Sequence, residues 1–209
     1  MVDNRGFGRY TYDPLSREVS DSSIYDVASL TKVLSTVPVF MKLMSQYQIG
    51  LDHEVFQYYP EFNIDGKRDI TLRHLLLHSS GLPGYIEFFK DKNIKNKQDV
   101  IDSILKQNLV YAPGEDYEYS DLGIILLGSV IEMVSGSSLE SLAQRYVYRP
   151  LKMTSTKYNP DSLLRDMIVP TEYDSTYRGR LLIGEVHDEN AWVMGGVAPH
   201  AGLFSTARD

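Results

Sequence analysis

From Leu122 to Val134 the chain reads Leu-Gly-Ile-Ile-Leu-Leu-Gly-Ser-Val-Ile-Glu-Met-Val, apolar at almost every position. A helix without a polar face has to be enclosed by other elements, so this run demands a core wide enough to surround it. It includes Gly123, Gly128, Ser129 and Glu132 and falls well short of the ~20 apolar residues that cross a bilayer, which makes it a buried helix and gives no membrane span in this chain. The remaining sequence can supply the enclosure. At 209 residues with 43% apolar side chains, the expected organisation is one domain, or one core with an inserted subdomain. No internal repeat or low-complexity segment interrupts it.

Charge narrows the partners. Lys plus Arg number 21 against 28 Asp plus Glu, a formal net charge of −7, so no basic stripe is available to neutralise phosphates. Nucleic acid and anionic membrane surfaces are therefore excluded as expected partners, whereas a neutral or cationic small molecule fits. The chain has no cysteine, which removes thiol nucleophiles, Cys-ligated zinc and iron–sulfur clusters together. Nucleophilic chemistry must then come from oxygen or nitrogen. Met1 to Gly8 carries charged residues and glycines where a secretion signal needs an apolar stretch, so none is expected in the chain as it stands.

Periodicity places the other elements. Arg5 to Tyr12 alternates with a two-residue period before an Asp13-Pro14 turn, and with Val19 to Val27 it predicts a strand pair near the N-terminus. After Ser29, the residues Val33, Leu34, Val37, Phe40, Met41 and Met44 form one helical stripe, with Pro38 expected to kink it. Thr71 is the expected N-cap of a helix from Leu72 to His78 that stops at Gly81, with Pro83 beyond. Val100, Ile101, Ile104, Leu105 and Leu109 share a further helical face. Ser137 and Glu140 form a capping-box pattern ahead of Leu142, Ala143, Tyr146 and Val147. From Asn159 to Asn190 turns and polar loop prevail, with a short strand expected over Met167 to Val169.

Two clusters carry chemistry. Ser29-Leu30-Thr31-Lys32 sets a hydroxyl and an amine one turn apart on one face at the start of a helix. There the amine can take the hydroxyl proton while the helix N-terminus favours an oxyanion. The plain alternative is a helix cap followed by a surface lysine. Ser103-Ile104-Leu105-Lys106 repeats the spacing inside an amphipathic helix with no second element beside it. Tyr119-Ser120-Asp121 lies after the Pro113-Gly114 break and just before the apolar run, where a second catalytic loop would sit. A phenol can relay a proton there. The competing reading is that Ser120 or Asp121 caps the following helix while the Tyr119 ring packs.

In order along the chain, Tyr25-Asp-Val-Ala-Ser-Leu-Thr-Lys32, Ile70-Thr-Leu-Arg-His-Leu-Leu-Leu-His-Ser-Ser-Gly-Leu-Pro83, Tyr119-Ser-Asp121, Pro150-Leu-Lys-Met153 and Gly195-Gly-Val-Ala-Pro-His-Ala-Gly-Leu-Phe-Ser-Thr-Ala207 resemble the serine β-lactamase and penicillin-binding-protein superfamily. The similarity is to its class C-like branch of esterases and D-amino-acid peptidases. The resemblance implies an α/β (α+β) fold with a sheet layer carrying the nucleophile helix, from residues 1–32 and about 161–209, and a mostly helical region over about 33–160. It implies a serine hydrolase that forms an acyl-enzyme on a cell-wall peptide, a small ester or a β-lactam, with no cofactor and no metal. Ser29 would be the nucleophile, Lys32 and Tyr119 would move protons, Asp121 would position Lys32 or substrate, and His200 would support the substrate site. A cell-envelope location goes with that resemblance.

Two departures qualify the implication. Asp121 stands where the family has Asn, replacing an amide donor with a carboxylate beside Lys32. The family's third motif, Lys-Thr-Gly or His-x-Gly, follows the Gly-Leu-Phe-Ser-Thr-Ala segment, whereas this chain ends at Asp209; His200-Ala-Gly202 matches the earlier segment. The expectation is a domain truncated at both ends, with Arg5 to Tyr12 on an exposed sheet edge. Self-association through that edge and little activity in isolation are expected with it. The alternative function is a catalytically silent binding or structural module of the same family. Among the other candidates, His74 and His78 have a zinc-compatible spacing without a third ligand, so packing and capping are expected of them. His187, Asp188 and Glu189 read as solvated loop, and Gly6-Phe-Gly8 as strand rather than nucleotide loop.

Overall fold

The computed structural model describes residues 4–47 and 49–209. Near the N-terminus, Arg5 to Tyr12 is not the expected sheet strand. It folds back on its own continuation through Val19 N–H to Gly8 C=O and Tyr10 N–H to Arg17 C=O, with one antiparallel bridge between Arg9 and Glu18. Gly8 at φ +78 breaks the extended path, and Phe7 is left 79% exposed with no sheet to cover.

The first strand, β1, is Tyr25–Asp26. A π-helical turn, Lys32–Thr36, then leads into α1, Val37–Met44. Pro38 falls in the first turn of α1, so the irregularity its ring imposes is taken up as the widened turn just before it. The face this helix buries differs from the expected stripe. Val33 and Met41 are 58% and 65% exposed, whereas Thr31, Lys32, Ser35, Thr36, Val39, Phe40 and Leu43 point inward. The first two turns therefore bury polar groups, and only the last two bury the apolar ones.

Four further helices complete most of the core. α2 is Leu72–Leu76, capped by Thr71 in a reciprocal box with His74; it ends before His78, which adopts φ +55 and cannot continue a right-handed helix. α3 is Lys97–Leu105 and is capped by Asn96. α4, Asp121–Ser135, is the enclosed helix: Leu122 through Ile131 are all buried, and Gly136 at φ +64 ends it. α5 is Leu139–Ala143, capped by Ser138, one residue later than expected, and its path continues to α6, Arg149–Leu151. α4 packs against α1, α2, α3 and α5. No single helix among the described residues is long and apolar enough to cross a membrane.

The strands are short. β2 is Lys157–Tyr158, and β3, Tyr173–Asp174, forms a hairpin with β4, Arg180–Leu181. The expected strand at Met167 to Val169 is reduced to one parallel bridge between Ile168 and Ile24. After α7, Glu189–Val193, the last strand β5, Leu203–Ser205, enters between β1 and β2 and pairs antiparallel with both. The segment leading into β5 lies against α4: a Cβ built on Gly128 would stand 2.0 Å from Pro199 Cγ. Gly128→Ala is therefore expected to lower stability by about 1–3 kcal/mol through overpacking, read as a reduced midpoint in chemical denaturation.

Candidate active site

Ser29 sits on a sharp bend between β1 and the helical segment that leads into α1. Ala28 takes φ +47, and its N–H is held by Asp26 Oδ1 at 2.8 Å. Thr31, fully buried, ties the bend to β5: its hydroxyl donates to Ala28 C=O at 2.6 Å and accepts from Leu203 N–H at 3.2 Å. Val27 N–H donates to Leu203 C=O at 2.9 Å. No side chain caps this helix start. The chain places Ser29 through β-sheet pairing and one threonine.

The Ser29 hydroxyl opens into a cavity of about 480 Å³ whose walls include Val27, Leu30, Lys32, His78, Tyr119 and Ile124. Lys32 is buried at its inner end. Its ammonium donates to Ser29 Oγ at 2.9 Å and to His200 C=O at 3.1 Å, and lies 2.7 Å from Asp121 Oδ1. Two hydrogen bonds and one close ion pair thus surround the ammonium. The Tyr119 ring covers the remaining approach, its centroid 4.9 Å from Lys32 Nζ, a cation–π distance. Among the described residues the Tyr119 phenol oxygen makes no hydrogen bond, so it meets the cluster by its ring face while its hydroxyl stays free.

Ser120 settles the capping question. Its side chain accepts from Gly123 N–H and donates to Pro83 C=O, which leaves Asp121 free to turn toward Lys32. His200 is almost fully buried: its ring Nε2 meets Asp188 Oδ1 at 3.1 Å, and its backbone carbonyl accepts from Lys32. Asp188 is not the solvated loop residue expected. It caps α7 through Ala191 N–H at 2.7 Å as well as holding His200. The backbone just before it is fixed by Asp26 Oδ2, which accepts His187 N–H, and by Arg178, whose guanidinium donates to Val186 and His187 carbonyls and pairs with buried Asp174. An aspartate three residues ahead of Ala191 was the available sequence signal for a cap. Its partnership with His200 spans a loop and had none.

The two histidines of the zinc-compatible pair face different partners. His74 Nδ1 accepts from Thr71 N–H, and His78 Nδ1 accepts from Ser120 N–H. Ligand atoms of Asp121, Asp188 and His200 lie within 4.8 Å of one another, yet the cation already placed against this group is Lys32. Ser103 and Lys106 lie on α3 and at its C-cap, outside the cavity.

A family model described as Beta-lactamase matches residues 7–209. A protein of Escherichia coli (strain K12) named "Putative D-alanyl-D-alanine carboxypeptidase" is 33% identical over 219 residues, covering 92% of this chain and 50% of that protein. An N-acetylmuramyl-L-alanine amidase of Bacillus subtilis (strain 168) is 32% identical over 214 residues, covering 90% and 48%. The chain spans about half the length of these curated relatives. The crystal structure of a class C beta lactamase from Rhodobacter sphaeroides superposes with a TM-score of 0.74 at 18% identity, over 97% of this chain and 53% of that one. The α/β fold is thus the β-lactamase type.

Burial alone would raise the Asp188 carboxyl, but the hydrogen bond with His200, the charges of His200 and Lys32 and the Ala191 N–H outweigh it and hold it below its ordinary value. The unfolded chain therefore binds this proton more readily than the native one. The stabilisation is complete above the ordinary carboxylate range and is lost as pH falls through the depressed native value, below about pH 4. Asp188→Asn keeps the cap and removes the titration. It is expected to lose less stability than wild type between pH 5 and pH 3, read by urea denaturation at each pH.

Proposed function

Because this chain belongs to the Beta-lactamase family, we propose that it is a serine hydrolase working through an acyl-enzyme on an amide or ester, with Ser29 as the nucleophile. The observation that carries this reading is the 2.9 Å contact between Lys32 Nζ and Ser29 Oγ at the inner end of a largely apolar cavity. Lys32 first releases its extra proton, for which the Asp121 carboxylate at 2.7 Å is the nearest acceptor. The free amine then takes the Ser29 proton as Oγ bonds to the substrate carbonyl carbon. The Ser29 N–H, which meets no protein acceptor among the described residues, supplies one donor to the developing oxyanion. On collapse the C–N or C–O bond breaks, and the leaving group takes the proton by way of Lys32 and the exposed Tyr119 hydroxyl. Water then attacks the acyl ester and restores the Ser29 hydroxyl. The names of the two curated relatives, a carboxypeptidase and an amidase, support an amide of cell-wall type as the substrate.

A second reading, a silent module, has one observation in its favour. The Asp121 carboxylate against Lys32 stabilises the ammonium, and an ammonium cannot accept the Ser29 proton. The two readings part on covalent labelling. With a fluorophosphonate, intact-mass analysis is expected to show one adduct that maps to Ser29 and is absent in Ser29→Ala. Lys32→Ala is expected to slow labelling by about 10²–10⁴-fold, the usual contribution of a positioned base. An adduct that survives Ser29→Ala or maps to Ser103 overturns the assignment. Asp121→Asn keeps a polar partner for Lys32 but removes the charge that favours the ammonium, so it is expected to label at least several-fold faster than wild type at pH 7. No labelling in either form supports the silent module.

A further inference from the structure

His78 grips the loop that carries Tyr119 and Asp121 at three successive residues. Its carbonyl accepts the Glu118 N–H at 2.9 Å, its ring lies 4.5 Å from the Tyr119 ring at 35°, and its Nδ1 accepts the Ser120 N–H at 3.0 Å. The next residue, Asp121, is the ion partner of Lys32. Such a grip needs an unusual backbone. His78 has φ +55, a left-handed conformation uncommon outside glycine, and that turn carries the imidazole out of the path of α2 and onto the 118–120 loop. The Tyr111 hydroxyl also donates to the His78 carbonyl at 3.3 Å, and the Tyr117 ring meets the imidazole edge-on at 6.1 Å.

A backbone N–H can only donate, so the contact with Ser120 requires an Nδ1 lone pair and places the ring proton on Nε2. We propose that neutral His78 is a positioning residue of the Ser29 site, holding Tyr119 over Lys32 and Asp121 beside it, and that protonation of His78 releases this loop. This inference rests on the acyl-enzyme reading. Protonation would put a hydrogen on Nδ1 facing the Ser120 N–H and a second cation near Lys32. The groups facing the ring are Lys32 from the nucleophile helix, Asp121 from the start of α4, and the tyrosines 117 and 119 of the loop. Burial, with the Lys32 charge behind it, pushes the imidazole below its ordinary value, so the neutral form prevails at neutral pH. Release would then set in only on the acid side of the ordinary imidazole range.

Two substitutions tolerate the left-handed backbone and separate the roles. His78→Asn retains an acceptor oxygen and cannot titrate, whereas His78→Gly removes both acceptor and ring. Fluorophosphonate labelling rates at Ser29 are measured from pH 5 to pH 9, alongside amide hydrogen exchange at Ser120 by NMR. At pH 8, His78→Gly is expected to label at least tenfold more slowly and to lose at least tenfold in Ser120 protection. His78→Asn is expected to recover most of both. In wild type, Ser120 protection should fall on the acid side of the ordinary imidazole range, and in His78→Asn that fall should be absent; labelling, which also needs Lys32 as a base, should decline more steeply in wild type than in His78→Asn over the same range. A purely structural role would alter melting temperature without moving the pH profile. Labelling by His78→Gly at the wild-type rate, or a loss of Ser120 protection in acid that is as large in His78→Asn as in wild type, overturns the proposal. If wild type does not label at Ser29 while Ser120 protection still follows His78 protonation, the acyl-enzyme reading fails instead and the loop grip stands.

Discussion

The inward face of the first two turns of the helix after Ser29 is polar, and the site depends on how that polarity is met. Thr31, Lys32, Ser35 and Thr36 are buried, and an unpaired buried donor or cation costs more than almost any apolar contact returns. Each has a partner from distant chain. Leu203 N–H meets Thr31, the His200 carbonyl meets Lys32, the Pro199 carbonyl meets Thr36 at 2.6 Å, and the Tyr158 hydroxyl meets Ser35 at 2.9 Å. Residues 199–203 thus run along the helix as a row of acceptors and donors, and they continue directly into β5. The same strand pairs with β1 just ahead of Ser29, so the bend that presents the hydroxyl and the pocket that holds the lysine are set by one segment.

Around Lys32 the charges are layered. Asp121 touches the ammonium, Asp188 lies behind His200, and the Tyr119 ring closes the side open to the cavity. Removing a single carboxylate from such a buried pair leaves an uncompensated charge, so the usual expectation is a loss. Here the hydroxyl and the carbonyl remain as acceptors for Lys32, and an amide at position 121 could still bond it.

α4 joins the halves of this arrangement. Its N-cap, Ser120, fixes the Tyr119–Asp121 loop to Pro83, and about two turns further on Gly128 lets Pro199 press against the helix. The loop bearing Asp121 and the segment bearing the His200 carbonyl are consequently both anchored on one helix that is buried from Leu122 through Ile131. Lys32 reaches between them.

Much of this was legible from residue order because the forces involved are local. The i, i+3 spacing brings Ser29 and Lys32 together on any helical turn, Thr71 and Asn96 act on amides two or three residues away, and the all-apolar run of α4 admits only an interior position. Tertiary structure decided what local pattern could not. The stripe of Val33, Leu34, Val37, Phe40, Met41 and Met44 was a sound helical period, yet of these only Phe40 is fully buried, and Thr31, Lys32, Ser35 and Thr36 turned inward because their hydroxyls and amine found partners in residues 158 and 199–203. Arg5 to Tyr12 alternated like a strand, but β5 is taken by β1 and β2 on its two edges, and the ladder contacts of this segment run to its own return at residues 17–19. The roles of His78 and Asp188 beside the site were not legible, since their partners there, Ser120 and His200, lie 42 and 12 residues away. Periodicity and capping are read along the chain over a few residues. Which polar groups end up facing each other depends on elements that meet only when the chain has folded.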